Sequence, residues 1–202
     1  MAGRQGLSTF EINHVLGWDP QLRKVSFMTR SENTLPKPGH LKEYPRAFVT
    51  NTAPEGQPGE HWVAFIVESR DDVEFFDSYG LPPAFYSPNL AAFYQAFPNR
   101  RRAPRDLQSI MTHVCGQWCL FWLFHRVRGD STQDTLRRFD IGHPLENDEY
   151  VAEFVEKTMV LPHLHRPRIR HSPKTIHQNS VSRLKASVPS LEENLKPSAI
   201  LQ

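Results

Sequence analysis

Two apolar segments separated by a short polar connection constrain the fold of this 202-residue chain most strongly. Residues 61–68 read HWVAFIVE and residues 73–77 read VEFFD, and both are rich in the β-branched and aromatic residues that favour strands. The four residues between them suffice for a hairpin connection but not for a crossover. The sequence therefore predicts two antiparallel strands in which the start of the first lies beside the end of the second.

Helical patterns surround this predicted hairpin. Ser8 and Glu11 have the spacing of a capping box and are followed by apolar residues, so a first helix is expected there. A β-rich segment, residues 46–52, adds a strand, whereas residues 24–29 alternate only weakly. Further helices are predicted over residues 89–97, 116–127, 132–139 and 147–159, and the acidic residues of the last are assigned to its solvent face. Strands grouped ahead of helices predict an α+β fold, with a small mixed sheet packed against a central helix.

The net charge of +2 is distributed unevenly along the chain. Residues 163–202 contain seven basic and two acidic residues, whereas the preceding 162 contain 17 basic and 20 acidic ones. This last segment also lacks apolar periodicity, so it cannot bury enough apolar surface to offset the entropy lost on ordering. The sequence predicts one domain, residues 1–162, with its boundary near Leu161, and a basic, mostly disordered tail, residues 163–202.

Cysteine content and the N-terminal sequence predict an intracellular protein that is not secreted. The two cysteines, Cys115 and Cys119, are four positions apart and offer no disulfide framework. The N-terminal sequence MAGRQGLSTFEINH lacks the apolar run of a signal peptide. No stretch reaches the roughly 18 consecutive apolar residues of a membrane span, so no membrane association is expected.

Cys115 is the first candidate for chemistry, because it lies where an extended segment meets the start of the most apolar predicted helix. Unpaired N–H groups and the positive dipole end of a helix stabilise a thiolate, and Gly116 leaves room for a substrate carbonyl. The structural alternative is a small buried hydrophobic residue, which is the usual fate of a free cysteine and the interpretation given to Cys119.

A thiol nucleophile needs a base, a group that orients the base, and a donor to the oxyanion. His61 begins the first predicted hairpin strand and Asp77 ends the second, so the hairpin brings them together. Gln108 lies seven residues before Cys115, and its amide could reach an oxyanion beside the backbone N–H of Cys115. Taken singly, these are a rim histidine, a turn-initiating aspartate and a loop glutamine; their order and placement together favour catalysis.

At these residues the sequence resembles the adenovirus maturation protease (adenain) family, which has relatives in double-stranded DNA viruses and virus-like mobile elements. The resemblance rests on Asn51-Thr-Ala53, His61-Trp62-Val-Ala-Phe65, Asp77, and Gln108 with its spacing to Cys115-Gly-Gln-Trp-Cys119. It covers residues 45–128 well, the first 45 residues loosely and the tail not at all. It implies a papain-like/adenain-like fold whose central helix carries Cys115 as nucleophile, with His61 as base, Asp77 as orienting acid and Gln108 as oxyanion donor.

The resemblance implies a cysteine endopeptidase that processes viral capsid and core precursor proteins during virion maturation, in the host nucleus and the virion. It also implies an activating peptide and double-stranded DNA as partners; the sequence requires no cofactor or metal, and a monomer is expected. Family members join their activating peptide through a disulfide to a cysteine between the acid and the nucleophile. No cysteine lies between Gly80 and Val114, so covalent activation of that kind is not expected. A non-covalent peptide along a sheet edge, or no activator, is the alternative.

Clustered basic residues predict contact with nucleic acid. The candidates are Arg100, Arg101, Arg102 and Arg105 in the body and Arg166, Arg168 and Arg170 in the tail. Neutralised phosphates would dominate such binding, whose affinity would fall steeply with salt. The alternative for both sets is a solvated charge run.

Other interpretations compete with an adenain-like protease. SUMO-specific proteases share the order of base, acid, glutamine and cysteine, but usually have a shorter Gln–Cys spacing and an Asp where this chain has Val114. A catalytically idle, DNA-binding packaging protein would use the basic tail instead. His113 is a rival base, although residues two apart on an extended segment seldom face each other. A zinc site from Cys115 and Cys119 with His113 or His125 fits no common ligand spacing.

Overall fold

The computed structural model describes residues 6–160, so the predicted tail with Arg166, Arg168 and Arg170 and the predicted domain boundary lie outside the described residues. The strands are β1 (Arg30–Ser31), β2 (Arg46–Asn51), β3 (Trp62–Val67), β4 (Asp72–Phe76) and β5 (Asn99–Arg102). The helices are α1 (Thr9–Trp18), α2 (Leu22–Val25), α3 (Pro83–Tyr86), α4 (Pro88–Gln95), α5 (Cys115–Arg126), α6 (Thr132–Leu136) and α7 (Pro144–Val155). A 3-10 turn (Pro38–His40) precedes β2, and a π-helical turn (Glu156–Val160) follows α7.

The five strands form one mixed sheet in the order β1-β2-β3-β4-β5. The central strands β2, β3 and β4 are antiparallel, whereas the outer pairs β1–β2 and β4–β5 are parallel. Ala64 pairs with Phe76 and Val67 with Val73, which confirms the predicted hairpin. The sheet and its accompanying helices confirm the predicted α+β fold.

Both faces of the sheet are covered, which explains why β3 is apolar at every position. Ala64 and Ile66 face a core shared with α1, α5 and α7. Phe65 and Val67 face a second core, to which α4 contributes. Because side chains alternate between the faces of a strand, an unbroken apolar run serves two cores at once.

The central helix α5 carries Cys115 at its first position and packs between β3 and α7. Every residue from Cys115 to Leu123 is buried, as expected for a helix that is apolar on all sides. The predicted helix over residues 116–127 is confirmed with its bounds moved by one residue. No helix within residues 6–160 is long and apolar enough to cross a membrane.

The N-terminal helix α1 begins as predicted. The Ser8 hydroxyl accepts the Glu11 N–H at 3.3 Å, and the Glu11 carboxylate accepts the Ser8 N–H at 2.8 Å, which completes the capping box. The backbone carbonyl of Leu7, just ahead of this cap, accepts the Trp62 indole N–H at 3.1 Å. The start of the chain is thereby attached to the strand that follows His61.

Several element boundaries differ from the sequence expectations. The arginine run forms the edge strand β5, parallel to β4 and exposed along its length, rather than a charge run without structure. Residues 24–29, which alternate only weakly, contain the end of α2. The helix α6 ends at Leu136, and α7 starts at Pro144, before its predicted start. The strand β5 was not predicted because arginine is not among the residues that favour strands, and because the local sequence does not reveal backbone pairing with a parallel neighbour.

Gly80 ends the turn that follows β4, and its substitution tests how closely this turn approaches the loop before α5. Its φ is +69°, and an added Cβ would lie 2.7 Å from backbone atoms of Arg105. Gly80→Ala should therefore lower the free energy of unfolding by more than the roughly 1–2 kcal/mol of left-handed strain alone. Gly56 has φ +86° but no atom within 4 Å of its added Cβ, so Gly56→Ala provides a control for that strain. Urea denaturation compares the two variants, and equal losses would contradict the close approach at Gly80.

Candidate active site

His61 and Asp77 meet at one end of the sheet, immediately before β3 and after β4. Nε2 of His61 lies 2.6 Å from Oδ1 of Asp77, and only 8% and 2% of the two residues is exposed. The second oxygen, Oδ2, accepts the Leu81 backbone N–H at 2.8 Å and the Tyr86 hydroxyl at 2.9 Å. Asp77 therefore binds the imidazole through one carboxylate oxygen, while two hydrogen bonds to its other oxygen fix its position.

Cys115 is a second neighbour of the His61 imidazole. Burial opposes a positive charge on His61, but hydrogen bonds to Asp77 and to Cys115, together with their charges, raise the pKa of His61 to about 9. Nε2 of this ring is the nitrogen that faces Asp77. A histidine that is oriented by a carboxylate and lies beside a cysteine has the arrangement in which an imidazole serves a thiol nucleophile as base.

The start of α5 offers hydrogen-bond donors beside the Cys115 sulfur. Val114 is the N-cap residue of α5, and its side chain supplies no cap to the first turn. N–H groups of a first helical turn have no partner within the helix, and they favour negative charge nearby. Gly116 packs closely: a Cβ there would lie 3.2 Å from side-chain atoms of Leu7 and of Ile12.

Gln108 is buried, and Ser78 fixes both its backbone and its side chain. The Ser78 carbonyl accepts the Gln108 N–H at 3.1 Å, and the Ser78 hydroxyl donates to Oε1 of Gln108 at 2.6 Å. This bond fixes which way the side-chain amide faces, so its NH₂ group is the donor that is available elsewhere. One amide donor contacts the Thr112 carbonyl at 3.3 Å, and an NH₂ group has a second hydrogen to offer an oxyanion.

Two tyrosines complete the surroundings of His61, and the sequence analysis missed both. The rings of Tyr79 and Tyr86 stack on the imidazole with centroid separations of 4.9 Å and 5.3 Å. Burial and the charge of Cys115 raise the pKa of Tyr79 to about 12, and burial and the charge of Asp77 raise that of Tyr86 further. Both phenols therefore remain protonated. Tyr79 could have been found from its place two residues after Asp77, whereas Tyr86 lies in a Pro-rich segment without a motif.

The loop that leads into His61 is fixed by Asn51. Its Oδ1 accepts the N–H groups of Ala53 at 2.8 Å and Glu60 at 3.4 Å. The His61 carbonyl accepts the Thr52 N–H at 2.9 Å. The segment Asn51-Thr-Ala53, which is part of the family resemblance, thus fixes the direction in which the chain enters β3.

Asp148 in α7 is a second buried carboxylate, and it ties the loop between Gln108 and Cys115 to α5. Its Oδ2 accepts the Ser109 N–H at 2.9 Å and the Thr112 hydroxyl at 2.6 Å, while Oδ1 accepts the Trp118 indole N–H at 2.7 Å. Burial raises the pKa of Asp148 although these bonds oppose the shift. The assignment of the acidic residues of this helix to solvent is therefore wrong for Asp148, which is only 2% exposed.

The remaining candidates lie apart from this cluster or are buried in the core. His113 is exposed, while Cys119 is buried and the burial raises its pKa. The four candidate arginines in residues 100–105 all donate to acceptors within the protein, and their contact with nucleic acid stays a prediction. The acceptors are the Phe97 carbonyl for Arg100, Glu68 for Arg101, the Gly80 carbonyl for Arg102, and the Leu136 and Phe139 carbonyls for Arg105.

Comparison with known proteins yields a fold likeness but no family. No known protein-family profile matches the sequence, and no curated protein is similar to it. Among solved structures, the chain resembles the selenomethionine form of the ASFV pS273R protease, with a TM-score of 0.49 and 22% sequence identity. The match covers 74% of this chain and 66% of that protease, slightly less than two thirds of its length. The roles of the site residues therefore rest on the geometry of this chain.

The hydrogen bond from His61 to Asp77 predicts a specific titration. NMR titration should show the His61 imidazolium losing its proton with a midpoint near pH 9. Asp77→Asn should move the midpoint of this His61 titration to lower pH by about one unit or more. His125 and Asp130 form a matched pair outside the site, with Nδ1 and Oδ2 2.7 Å apart. Asp130→Asn should leave the His61 midpoint unchanged. An unshifted His61 in Asp77→Asn would contradict the charge coupling.

Asp148→Asn tests the buried carboxylate in α7. Asn offers one acceptor oxygen, so its NH₂ group must face either the Trp118 indole N–H or the Ser109 and Thr112 donors. We expect a loss of about 1–3 kcal/mol in the free energy of unfolding, as for a buried donor left unsatisfied. Glu146 in the same helix is exposed, and Glu146→Gln provides the control. Equal urea midpoints for the two variants would rule out a structural role for Asp148.

Proposed function

We propose that this chain is a cysteine endopeptidase in which Cys115 is the nucleophile, His61 the base, Asp77 the orienting acid and Gln108 an oxyanion donor. One observation carries the proposal: a buried imidazole is bonded to a carboxylate through one nitrogen and has a cysteine as its second polar neighbour. A histidine that served only packing would need neither partner. The combination activates a thiol in the way that nucleophilic catalysis requires.

The proposed reaction is acyl transfer through the Cys115 sulfur. The thiolate attacks the carbonyl carbon of a peptide bond, and the N–H of Cys115 and the amide of Gln108 stabilise the oxyanion. His61 donates a proton to the leaving amine as the C–N bond breaks, which leaves a thioester on Cys115. His61 then takes a proton from water, whose oxygen attacks the thioester and releases the carboxylic acid and Cys115. Asp77 keeps its Oδ1 on Nε2 and holds the ring orientation throughout.

For the biological role, we infer an adenain-like protease that cleaves capsid and core precursor proteins during virion maturation, in the host nucleus or the virion. The support is the order of His61, Asp77, Gln108 and Cys115 along the chain and the seven-residue Gln–Cys spacing. A SUMO-type or ubiquitin-like-protein-specific protease is the second candidate, because the same four positions would serve it. SUMO-specific proteases usually have an Asp directly before the nucleophile, and Val114 at this position argues against this second candidate.

Double-stranded DNA and an activating peptide are proposed partners of the same enzyme. The body arginines are engaged in internal hydrogen bonds, so the proposed DNA contact relies more on the basic segment that contains Arg166, Arg168 and Arg170. Any activating peptide would be non-covalent, since the sequence provides no cysteine between Gly80 and Val114. Neither partner is needed for the proposed chemistry at Cys115.

Selective alkylation tests the proposed nucleophile. Iodoacetamide at neutral pH should modify Cys115 at least about tenfold faster than Cys119, because the thiolate reacts and burial keeps Cys119 protonated. His61→Ala should slow the modification of Cys115, while His125→Ala, which alters a histidine outside the site, should not. Mass spectrometry of tryptic peptides measures both rates.

Proteolysis completes this test. The full chain should cleave bonds in a panel of viral structural precursor proteins, and Cys115→Ala should abolish the cleavage while Cys119→Ala retains it. Slow and equal alkylation of the two cysteines, without any cleavage, would defeat the protease proposal.

A further inference from the structure

Two adjacent buried residues of α7 bind the backbone on either side of Gln108, the proposed oxyanion donor. The Asn147 side-chain amide donates to the Leu107 carbonyl at 3.3 Å, and Oδ2 of Asp148 accepts the Ser109 N–H at 2.9 Å. Leu107 and Ser109 are the two chain neighbours of Gln108. The backbone of the oxyanion donor is therefore fixed by a helix that contributes none of the four proposed catalytic residues.

The side-chain amide of Gln108 is oriented through the same carboxylate. Oδ2 of Asp148 also accepts the Thr112 hydroxyl at 2.6 Å, and the Thr112 carbonyl accepts one hydrogen of the Gln108 amide at an N···O distance of 3.3 Å. A carbonyl only accepts hydrogen bonds, so this contact places the amide nitrogen on the side of Thr112 and gives its second hydrogen a defined direction. Asp148 thus acts on both the position of Gln108 and the orientation of its donor.

The other oxygen of Asp148 connects this loop to the helix of the proposed nucleophile. Oδ1 accepts the indole N–H of the fully buried Trp118 at 2.7 Å, and Trp118 lies in α5, nearly one helical turn after Cys115. A carboxylate with one oxygen on each partner sets the spacing between oxyanion donor and nucleophile. Oxyanion stabilisation depends on such spacing, since the donors must already point to the position where charge develops.

Packing alone does not account for a carboxylate at this position. Burial disfavours its charged form and raises the pKa of Asp148, whereas an apolar side chain would fill the same helix contact without that cost. The carboxylate instead accepts three hydrogen bonds, two from the loop after Gln108 and one from α5.

We propose that Asp148 is a positioning residue for the oxyanion donor, which acts on the reaction through Ser109, Thr112 and the Gln108 amide. This inference rests on the proposed protease function and assigns a part in it to a residue outside the proposed chemistry. The loop after Gln108 is then an adjustable element whose geometry sets the rate of acyl transfer while the pair of Cys115 and His61 is unaffected.

Thr112→Val tests this role with Asp148 left in place. The variant removes the hydroxyl that Asp148 binds, and kcat should fall about tenfold while KM changes little, because a displaced oxyanion donor is lost only in the transition state. The substrate is a peptide that spans a bond which the wild type cleaves in the precursor panel. Thr112→Ser keeps the hydroxyl and should restore kcat. Asp148→Asn should lower kcat as Thr112→Val does, whereas Glu146→Gln, which alters an exposed carboxylate of the same helix, should not.

Alkylation separates positioning from a general structural role. Iodoacetamide reacts with a thiolate by displacement of iodide and forms no oxyanion, so the alkylation rate of Cys115 does not depend on Gln108. Thr112→Val and Gln108→Ala should therefore be alkylated at Cys115 as fast as the wild type. Gln108→Ala should lower kcat about a hundredfold, as for a lost oxyanion donor, and the double variant Gln108→Ala/Thr112→Val should lose no more.

Thermal unfolding shows which variants are folded, and Thr112→Val and Thr112→Ser decide the test if Asp148→Asn is not. Wild-type kcat in Thr112→Val, slower alkylation of Cys115 in that variant, or a further loss of about tenfold in the double variant overturns the positioning role and leaves the protease intact. Absence of cleavage by the wild type together with unselective alkylation of Cys115 and Cys119 overturns the protease, and the positioning role with it.

Discussion

The packing of α5 between β3 and α7 is the constraint on which the rest of the structure depends. A helix buried on nearly every side has one position that fills its surroundings without cavities, so its first residue is placed as firmly as its middle. The polar groups around Cys115 are then attached to elements that contact this helix. His61 enters from β3, and the loop from Gln108 is bonded to Asp148 of α7 and, through it, to Trp118 of α5.

Two adjacent residues directly after β4 each orient one polar side chain of the site. Asp77 holds the imidazole of His61, and Ser78 holds the amide of Gln108. Because successive residues leave a strand in different directions, one short segment can orient a base and an oxyanion donor together. The turn that ends with Gly80 allows this segment to approach the backbone of Arg105. The relative placement of the two groups is thus set by a few covalent bonds rather than by distant packing.

The sequence predicted those parts of the molecule in which local pattern and tertiary environment agree. The run HWVAFIVE has one strand register that serves two cores, and the residues after Val114 can form only a buried helix, so the hairpin and α5 follow from them. The positions of His61 and Asp77 then follow from hairpin geometry. β5 was missed because its arginines offer no strand pattern, and its backbone pairing with β4 is not visible in the local sequence.

Asp148 and Tyr86 were missed for a related reason. In an amphipathic helix an aspartate is ordinarily a solvent residue, and only the donors of a distant loop make burial favourable. The Tyr86 hydroxyl reaches Asp77 across nine residues of Pro-rich chain, a contact that no spacing rule predicts. Residues that support a site through long-range hydrogen bonds are therefore less visible in a sequence than the residues they support.

The arginines of β5 also affect how two molecules of this protein meet. An edge strand exposes unpaired backbone groups, which can pair with the edge of another copy and start ordered aggregation. Here the free edge of β5 carries three consecutive arginines, so a second copy would bring like charges together along the whole strand. The opposite edge is the two-residue strand β1, which is too short to serve as a template. The sheet thus carries its own protection against fibril growth at high protein concentration.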